Sequence, residues 1–541
     1  MLSPSVTALL AIGLAPLLAS AQFRITGAPG ATRNNVPSRR NINDLYSEGG
    51  PQWDLYIQAL SQLQSKDSAD PLGYFQISGI HGAPFIEWNH GGARNNNGWG
   101  PPPPPFPPPC RIHLVLTGDK EPLFLPWHRP YVLLFEQRLV ELAIAIASQY
   151  PAAFHDQYLA AANSLRSPFW DWSADSNVPA CTVPQTVFIK VPNGQNLTRS
   201  EVRNPLSWYD YPSEARDGRY GPFIQAPRTS RCAAPARNPD SANQELQSYG
   251  LRQATYDIFA TATTFNEFAV SGRVHHLEEL HNDVHYSAGC QGQFLDAGVS
   301  GFDPLFMLHH THVDRLWAYW QFIVPSQASF SGSYQGQSRF STPAGTVIHP
   351  NSPLPPFFDR SLRYFTPNSV SSIRGMGYTY EGLEYWRMSA QQLRQSAIQT
   401  INSLYAPASA FAKRSGAEAQ TRHFAHIELD RNQVQRPSAV TLFIAGKKVT
   451  TVPVMSAPAK GILHSSVSID KVPNESSWNT VEIQISKPDG TTIDVDGVDS
   501  LKITIETVSM RLAASRDEFP EIVDSKSYVA KIQPLSEGGP K

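Results

Sequence analysis

His281-Asn282-Asp283-Val284-His285, followed by Phe302-Asp303-Pro304-Leu305-Phe306-Met307-Leu308-His309-His310-Thr311-His312-Val313-Asp314-Arg315-Leu316-Trp317, is the stretch whose reading decides the fold. Residues four apart lie on one helical face, so the imidazoles of His281 and His285 can reach one metal ion. The second segment is apolar and aromatic, and a histidine on it can complete a three-imidazole site between facing helices of a bundle. Three neutral imidazoles without thiolate or carboxylate suit zinc, copper, nickel or iron, so the ligand set alone does not choose. The H-E-x-x-H of a carboxylate-assisted zinc protease is absent. Local composition is the rival explanation for a lone H-x-x-x-H. It fails on clustering, because most of the chain's 16 histidines fall between His81 and His312.

Outward from that stretch, Pro130–Ser148, Val274–Tyr286 and Pro304–Phe322 read as helices, the first apolar on most faces as a buried helix would be. Proline at position 130 suits a helix start. From about His423 the character changes. The runs AVTLFIAG, TTVPVM, HSSVSID, TVEIQIS and LKITIETVSM alternate β-branched and polar residues between turn signals, as in a small all-β domain. The fold class expected is therefore mainly α, with a smaller C-terminal all-β domain. Residues 22–405 form the larger domain, 406–422 a linker and 423–541 the β domain. The linker holds the dibasic pair Lys413-Arg414 and reads as exposed to proteolysis. The prolines between Pro101 and Pro109 read as an extended insertion.

The chain has 541 residues, 41% hydrophobic and 17% charged, with a net charge of −2. That balance suits a globular protein with a large core and gives no basis for a nucleic-acid partner. Residues 1–21 form an apolar run ending in Ala19-Ser20-Ala21, a small-x-small pattern that predicts a secretory signal peptide despite the lack of a basic start. No later stretch reads as a membrane span. The expected location is extracellular. Two glycosylation sequons, Asn196-Leu197-Thr198 and Asn474-Glu475-Ser476, agree with that route. Four cysteines (Cys110, Cys181, Cys232, Cys290) are too few for a disulfide scaffold, and spacing does not fix their pairing.

The pattern D-P-x-F-x-x-H-H-x-x-x-D-R-x-W at 303–317 resembles the second copper signature of the type 3 copper family. That family comprises tyrosinases, catechol oxidases and molluscan-type hemocyanins, and the chain is most similar to the fungal-type tyrosinases, or polyphenol oxidases. The first copper signature is matched in part by Ile80-His81-Gly82-Ala83-Pro84-Phe85 and by Leu123–Tyr131, which contains Trp127-His128-Arg129-Pro130. Pro168-Phe169-Trp170-Asp171-Trp172 resembles the family's buried P-x-W-D-W segment. The resemblance covers roughly residues 40–405 and continues more loosely into the β domain. It implies a four-helix-bundle dicopper catalytic domain holding two copper ions, with His81 and His128 on copper A and His281, His285 and His310 on copper B. His309 then reads as an outer neighbour or a packing residue. The family's middle copper A ligand stands nine residues before the W-H-R-P histidine, where this chain has Asp119. His113, in Cys110-Arg111-Ile112-His113, is the expected substitute and His90 the second candidate. A third reading is an aberrant segment without that ligand. A Cys110–His113 thioether would have C-x-x-H spacing rather than the usual C-x-H.

The resemblance further implies O2-dependent oxidation of phenols to ortho-quinones. In tyrosinases an Asn after the first copper B ligand and a nearby Glu orient a water that accepts the phenol proton, and Asn282 and Glu278 occupy those places. The pair favours monophenol hydroxylation over catechol oxidation alone; the plainer reading is that Glu278 caps or solvates its helix. Phe306 reads as a ring over the substrate or as core. Tyr378-Thr379-Tyr380 resembles the Y-x-Y element closing the catalytic domain. The β domain is then similar to a shield released by an activating protease at the dibasic linker, or else a permanent accessory. A Cys232–Cys290 disulfide is the preferred pairing, with Cys181 left over. His275 and His276 are expected at the start of the copper B helix. His155, His349, His423, His426 and His464 are expected on the surface or in loops. The rivals are a catechol oxidase, a hemocyanin-like O2 carrier, for which tandem units would be expected, and an inactive relative.

Overall fold

The computed structural model describes residues 22–535, apart from 92–93, 96–97, 100–120, 219, 221–222, 224–226, 337–344, 408–409, 412–418, 456–460, 473–474 and 488–489. The leader, the proline run, Cys110, His113, Asp119, Lys413-Arg414 and Asn474 lie outside the described residues.

One hydrophobic core runs from Ile25 to Ala410 and is helical; a second, from Ala425 to Ala530, is built on strands. A small cluster of Val274, Phe424, Val508 and Met510 joins them. Among the described residues no helix is long and apolar enough to cross a membrane.

The helix carrying His128 spans Phe124–Ala147, so it starts earlier than Pro130, and that proline sits in its interior. An interior proline leaves the carbonyl four residues back without its helical donor and costs about 3 kcal/mol or more. Here that carbonyl belongs to Pro126, and almost every residue from Phe124 to Val140 is buried. Packing on all sides outweighs the local rule.

The His281 helix spans Leu277–Gly289. His276 caps it, its Nδ1 accepting from the Glu279 amide at 3.2 Å, which is why the helix begins three residues after Val274. It ends at Cys290 in a left-handed conformation, φ 50°, and Cys290 is disulfide-bonded to Cys232. Cys181 is buried and has no disulfide partner among the described residues. The His310 helix spans Leu305–Ile323 and is buried on nearly every face, Trp317 and Trp320 included.

Two buried carboxylates tie these helices together. Asp314, one turn beyond His310, accepts from Arg129 at 2.6 Å, Arg39 at 2.9 Å, and the hydroxyls of Tyr378 and Tyr380 at 2.8 Å each. Burial alone would raise its pKa, but the two guanidinium groups hold it below the usual carboxylate value. Asp171, in the Pro168–Trp172 segment, accepts from Arg315 and from the Tyr405 hydroxyl at 3.0 Å each. The aromatic motif thereby fixes the far side of the His310 helix to the last helix, Ala390–Tyr405.

The C-terminal strands form two sheets. One has the order Ile462–Ser468, Ala419–Asp430, Lys502–Arg511, Glu521–Val529. The other has Thr492–Ile493, Thr480–Ser486, Ser438–Ile444, Lys447–Val454, with Lys531–Pro534 parallel to Thr480–Ser486. All five runs read in the sequence fall on these strands. The first strand begins at Ala419 rather than near His423, and the last two carry no clear alternation. A hairpin, Thr186–Asn193 with Asn196–Arg203, interrupts the stretch read as helices and loops. The sequon residue Asn196 opens its second strand and is exposed.

The β region rests on the segment leading into the His281 helix. His276 Nε2 donates to the His464 carbonyl at 3.2 Å, and Glu279 accepts from the Ser466 amide at 2.7 Å. His423, His426 and His464 therefore sit on half-buried strands rather than in loops. Glu506 pairs with Arg273 at 2.8 Å and with His426 at 3.1 Å. Burial would raise the Glu506 pKa, but hydrogen bonds from His426 and Arg273 bring it down to about 2. A depressed carboxylate stabilises the folded state above its unfolded pKa, near 4.5, and loses that contribution as pH falls toward about 2. Arg273 is partly exposed, so the effect is on the order of 1 kcal/mol. Glu506→Gln is expected to flatten the acid dependence of unfolding between those values. An unchanged pH profile in thermal denaturation would show that the contact is not coupled to stability.

Candidate metal centre

His81 leaves the short helix Tyr74–Gly79 on a turn held by its own surroundings. A Cβ on Gly82 would lie 1.8 Å from the Gly298 carbonyl oxygen, so only glycine lets this turn press against the 297–298 loop. His81 Nδ1 then donates to the Ala297 carbonyl at 3.0 Å. His128 Nδ1 donates to the Phe124 carbonyl one turn back at 2.7 Å, and His285 Nδ1 to the Phe294 carbonyl at 2.8 Å. His281 Nδ1 donates to the Asn282 side-chain oxygen at 3.1 Å. Each of these hydrogen bonds places a ring proton on Nδ1 and leaves Nε2 as the nitrogen available to a metal.

Those lone pairs converge. His310 Nε2 lies 3.3 Å from His281 Nε2 and 3.4 Å from His285 Nε2. Ligands at about 2.0–2.1 Å from a tetrahedral ion stand roughly 3.3–3.4 Å apart, so the three nitrogens fit one metal ion. His310 Nδ1 is buried without a hydrogen-bond partner among the described residues, which leaves Nε2 as the ring's working atom. Burial, and then the neighbouring histidines, hold the His310 pKa well below its ordinary value and keep the ring neutral. The His128 ring stacks on His310 with centroids 4.1 Å apart, and His81 stands 5.5 Å from His128 and 6.3 Å from His310. Five of the expected ligands are therefore gathered in one pocket. His113 lies outside the described residues, and His90 is exposed in a turn with φ 56°.

His309 packs between the rings of His281 and His285, at centroid distances of 4.8 and 4.7 Å, and both its ring nitrogens are buried without hydrogen bonds among the described residues. His312 turns away to Ser173 at 3.2 Å; burial pushes its pKa to about 3, so it too is neutral. Phe306 is fully buried against His310 at 4.2 Å and His81 at 4.8 Å, which makes it a wall behind the ligands. Phe124 packs on His281 at 4.6 Å. The carbonyls of Phe124, Phe294 and Ala297 went unread in the sequence, because a backbone oxygen has no residue signature.

Glu278 and Asn282 lie half-buried on the same face of the His281 helix and line a cavity of about 20 Å3. Pro453, Leu463 and Ser465 of the C-terminal strands close its other side. A polar cavity of that size holds one water.

The description "common central domain of tyrosinase" matches residues 71–323, which span all five gathered histidines. A tyrosinase of Podospora anserina is 30% identical over 444 residues, covering 75% of this chain and 72% of that one. The chain belongs to the tyrosinase family. A second tyrosinase, from Neurospora crassa, is 30% identical over 416 residues, 71% of this chain and 58% of that one. The structure of recombinant mushroom tyrosinase superposes with a TM-score of 0.77 at 20% identity, over 95% of this chain and all of that one. A mutant of Aspergillus oryzae pro-tyrosinase gives 0.72 at 20% identity, over 96% of this chain and all of that one. The tyrosinase fold is thus shared across both the helical core and the C-terminal sheets. The family's cofactor is a type 3 pair of copper ions, and the buried histidine cluster of this chain fits it.

Proposed function

We propose that this protein is a tyrosinase in the strict sense, hydroxylating monophenols and oxidising o-diphenols to o-quinones with O2. The observation that carries the reading is the water-sized cavity lined by Glu278 and Asn282, on the helix that carries His281 and His285, with Asn282 hydrogen-bonded to the His281 ring. His81, His128 and, as the proposed third ligand, His113 would hold copper A. His281, His285 and His310 would hold copper B, within a four-helix bundle. The copper pair, when bound, supplies the two-electron chemistry with O2. The chain's own residues do the rest. Asn282 fixes the His281 ring through Nδ1, and Glu278 takes the phenol hydroxyl proton through a single water in that cavity. Phe306 and Phe124 exclude bulk water from the ligand rings.

In the same reading, residues 1–21 direct secretion, Asn196 is glycosylated, and residues 423–541 form a domain that shields the site until a protease cuts at Lys413-Arg414. The strands lying over Glu278 and Asn282 support that arrangement. The test measures copper per chain, then turnover of tyrosine and of catechol, before and after limited trypsin cleavage. Two coppers, tyrosine turnover with a lag and a rise after cleavage are expected. Catechol turnover alone would make the protein a catechol oxidase, and cleavage without a rise would make the β region a permanent accessory.

A further inference from the structure

A cleft of about 760 Å3 opens at the opposite end of the His128 helix from the metal centre. Glu141, on its rim, follows His128 by thirteen residues on one helix, which at 1.5 Å per residue sets it about 20 Å away. The volume is that of a small-ligand site. Arg24, Arg33 and Arg360 line it, all exposed. Arg24 and Arg33 form no ion pair among the described residues, and Arg360 gives one N–H to the Thr26 carbonyl at 2.8 Å. The single acidic residue of the lining, Glu141, is already engaged by Arg138 and by Gln137.

Beneath the cleft lies a second layer of positive charge. Arg166 is 2% exposed and donates to four backbone carbonyls: Leu165 at 2.6 Å, Gly377 at 2.7 Å, Pro29 at 2.9 Å and Asn163 at 3.2 Å. Pro29 and Gly377 both line the cleft, so this one guanidinium ties together the two segments that form it. No carboxylate pairs with it among the described residues; Glu136, whose charge reaches it, is committed to Arg39 at 2.7 Å. The walls are also pressed backbone to backbone. Gly27, at φ +81°, leaves no room for a Cβ, which would stand 2.2 Å from the Met376 carbonyl oxygen. The cleft is therefore preformed, and its charge is local in a chain whose net charge is −2.

We infer that this cleft is a second binding site, for an organic oxyanion carrying at least two negative charges. Guanidinium forks match carboxylate and phosphate oxygens in paired hydrogen bonds. Val36, Pro29 and Tyr385 provide the apolar contact that a bare inorganic ion would not use. The inference is independent of the copper chemistry, since no metal-centre residue lines the cleft.

The test is calorimetric titration of the copper-loaded protein with trigalacturonic acid and, separately, with inositol hexakisphosphate. One site per chain is expected for at least one probe, with affinity that weakens as salt rises. Preference for the first identifies a carboxylate ligand, and preference for the second a phosphate ligand. In the Arg24→Glu/Arg33→Glu variant binding should weaken roughly tenfold or more, with copper content and catechol turnover unchanged. Absence of saturable binding below about 1 mM for both probes, or equal binding by the variant, would overturn the inference.

Discussion

His310→Ala is expected to lower copper content to about one ion per chain or less and to reduce phenol turnover by about a thousandfold, a loss of ~4 kcal/mol. His310 Nε2 is the point shared by the 3.3 Å and 3.4 Å contacts to His281 and His285, so its removal leaves two imidazoles where three fit one ion. The cost extends to copper A, because the His128 ring rests on His310 at 4.1 Å. Metal analysis with oxygen-consumption assays reads both effects. His349→Ala, at an exposed position far along the chain, serves as the control and should match the parent. Two coppers retained in well-folded His310→Ala protein would contradict the ligand assignment.

Asp314→Ala is expected to destabilise the helical core by about 3–5 kcal/mol, because it takes from buried Arg129 its one carboxylate partner among the described residues and leaves Arg39 with Glu136 alone. Of its hydrogen bonds among the described residues, Arg129 would keep those to the Gln321 side chain at 2.8 Å and the Val370 carbonyl at 2.7 Å, and Arg39 those to Glu136 and the Tyr380 hydroxyl. For a core of this size the melting temperature should fall on the order of 5 °C. Asp314→Asn separates charge from volume: it fills the same space, yet leaves the Arg129 charge uncompensated, and should be nearly as damaging. If Asp314→Asn melts within about 1 °C of the parent, the cluster acts by packing and the charge argument fails. Arg129 adjoins His128 on its helix, so copper retention in either variant should fall together with stability.

Much of the site was legible because its information is local. The i, i+4 pair His281/His285 and the His310 segment each sit on one helix, and helical spacing specifies a shared face without knowledge of the rest of the chain. The alternating runs from Ser438 to Arg511 were readable for the same reason: strands with one buried face announce it every second residue. The Thr186–Arg203 hairpin was missed because its strands are mostly exposed, with burial reduced to Val187 and Ile189. Pro130 misled in the opposite direction, a strong local rule overridden by burial along Phe124–Val140.

The sequence by itself determined which side chains can ligate a metal, that two of them share a helical face, and that a β-rich segment follows a helical one. Only the tertiary structure decided how those side chains act together. The proton positions on four imidazoles depend on carbonyls and an amide supplied by Phe124, Phe294, Ala297 and Asn282. The alignment of the His128 and His310 helices depends on one carboxylate, Asp314, meeting arginines and tyrosines from three distant parts of the chain. The cationic cleft exists because Arg166 binds backbone that lies more than a hundred residues away on either side. Backbone oxygens are alike in every residue, and contacts between remote segments leave no period in the sequence, so these features appear only when the chain has folded.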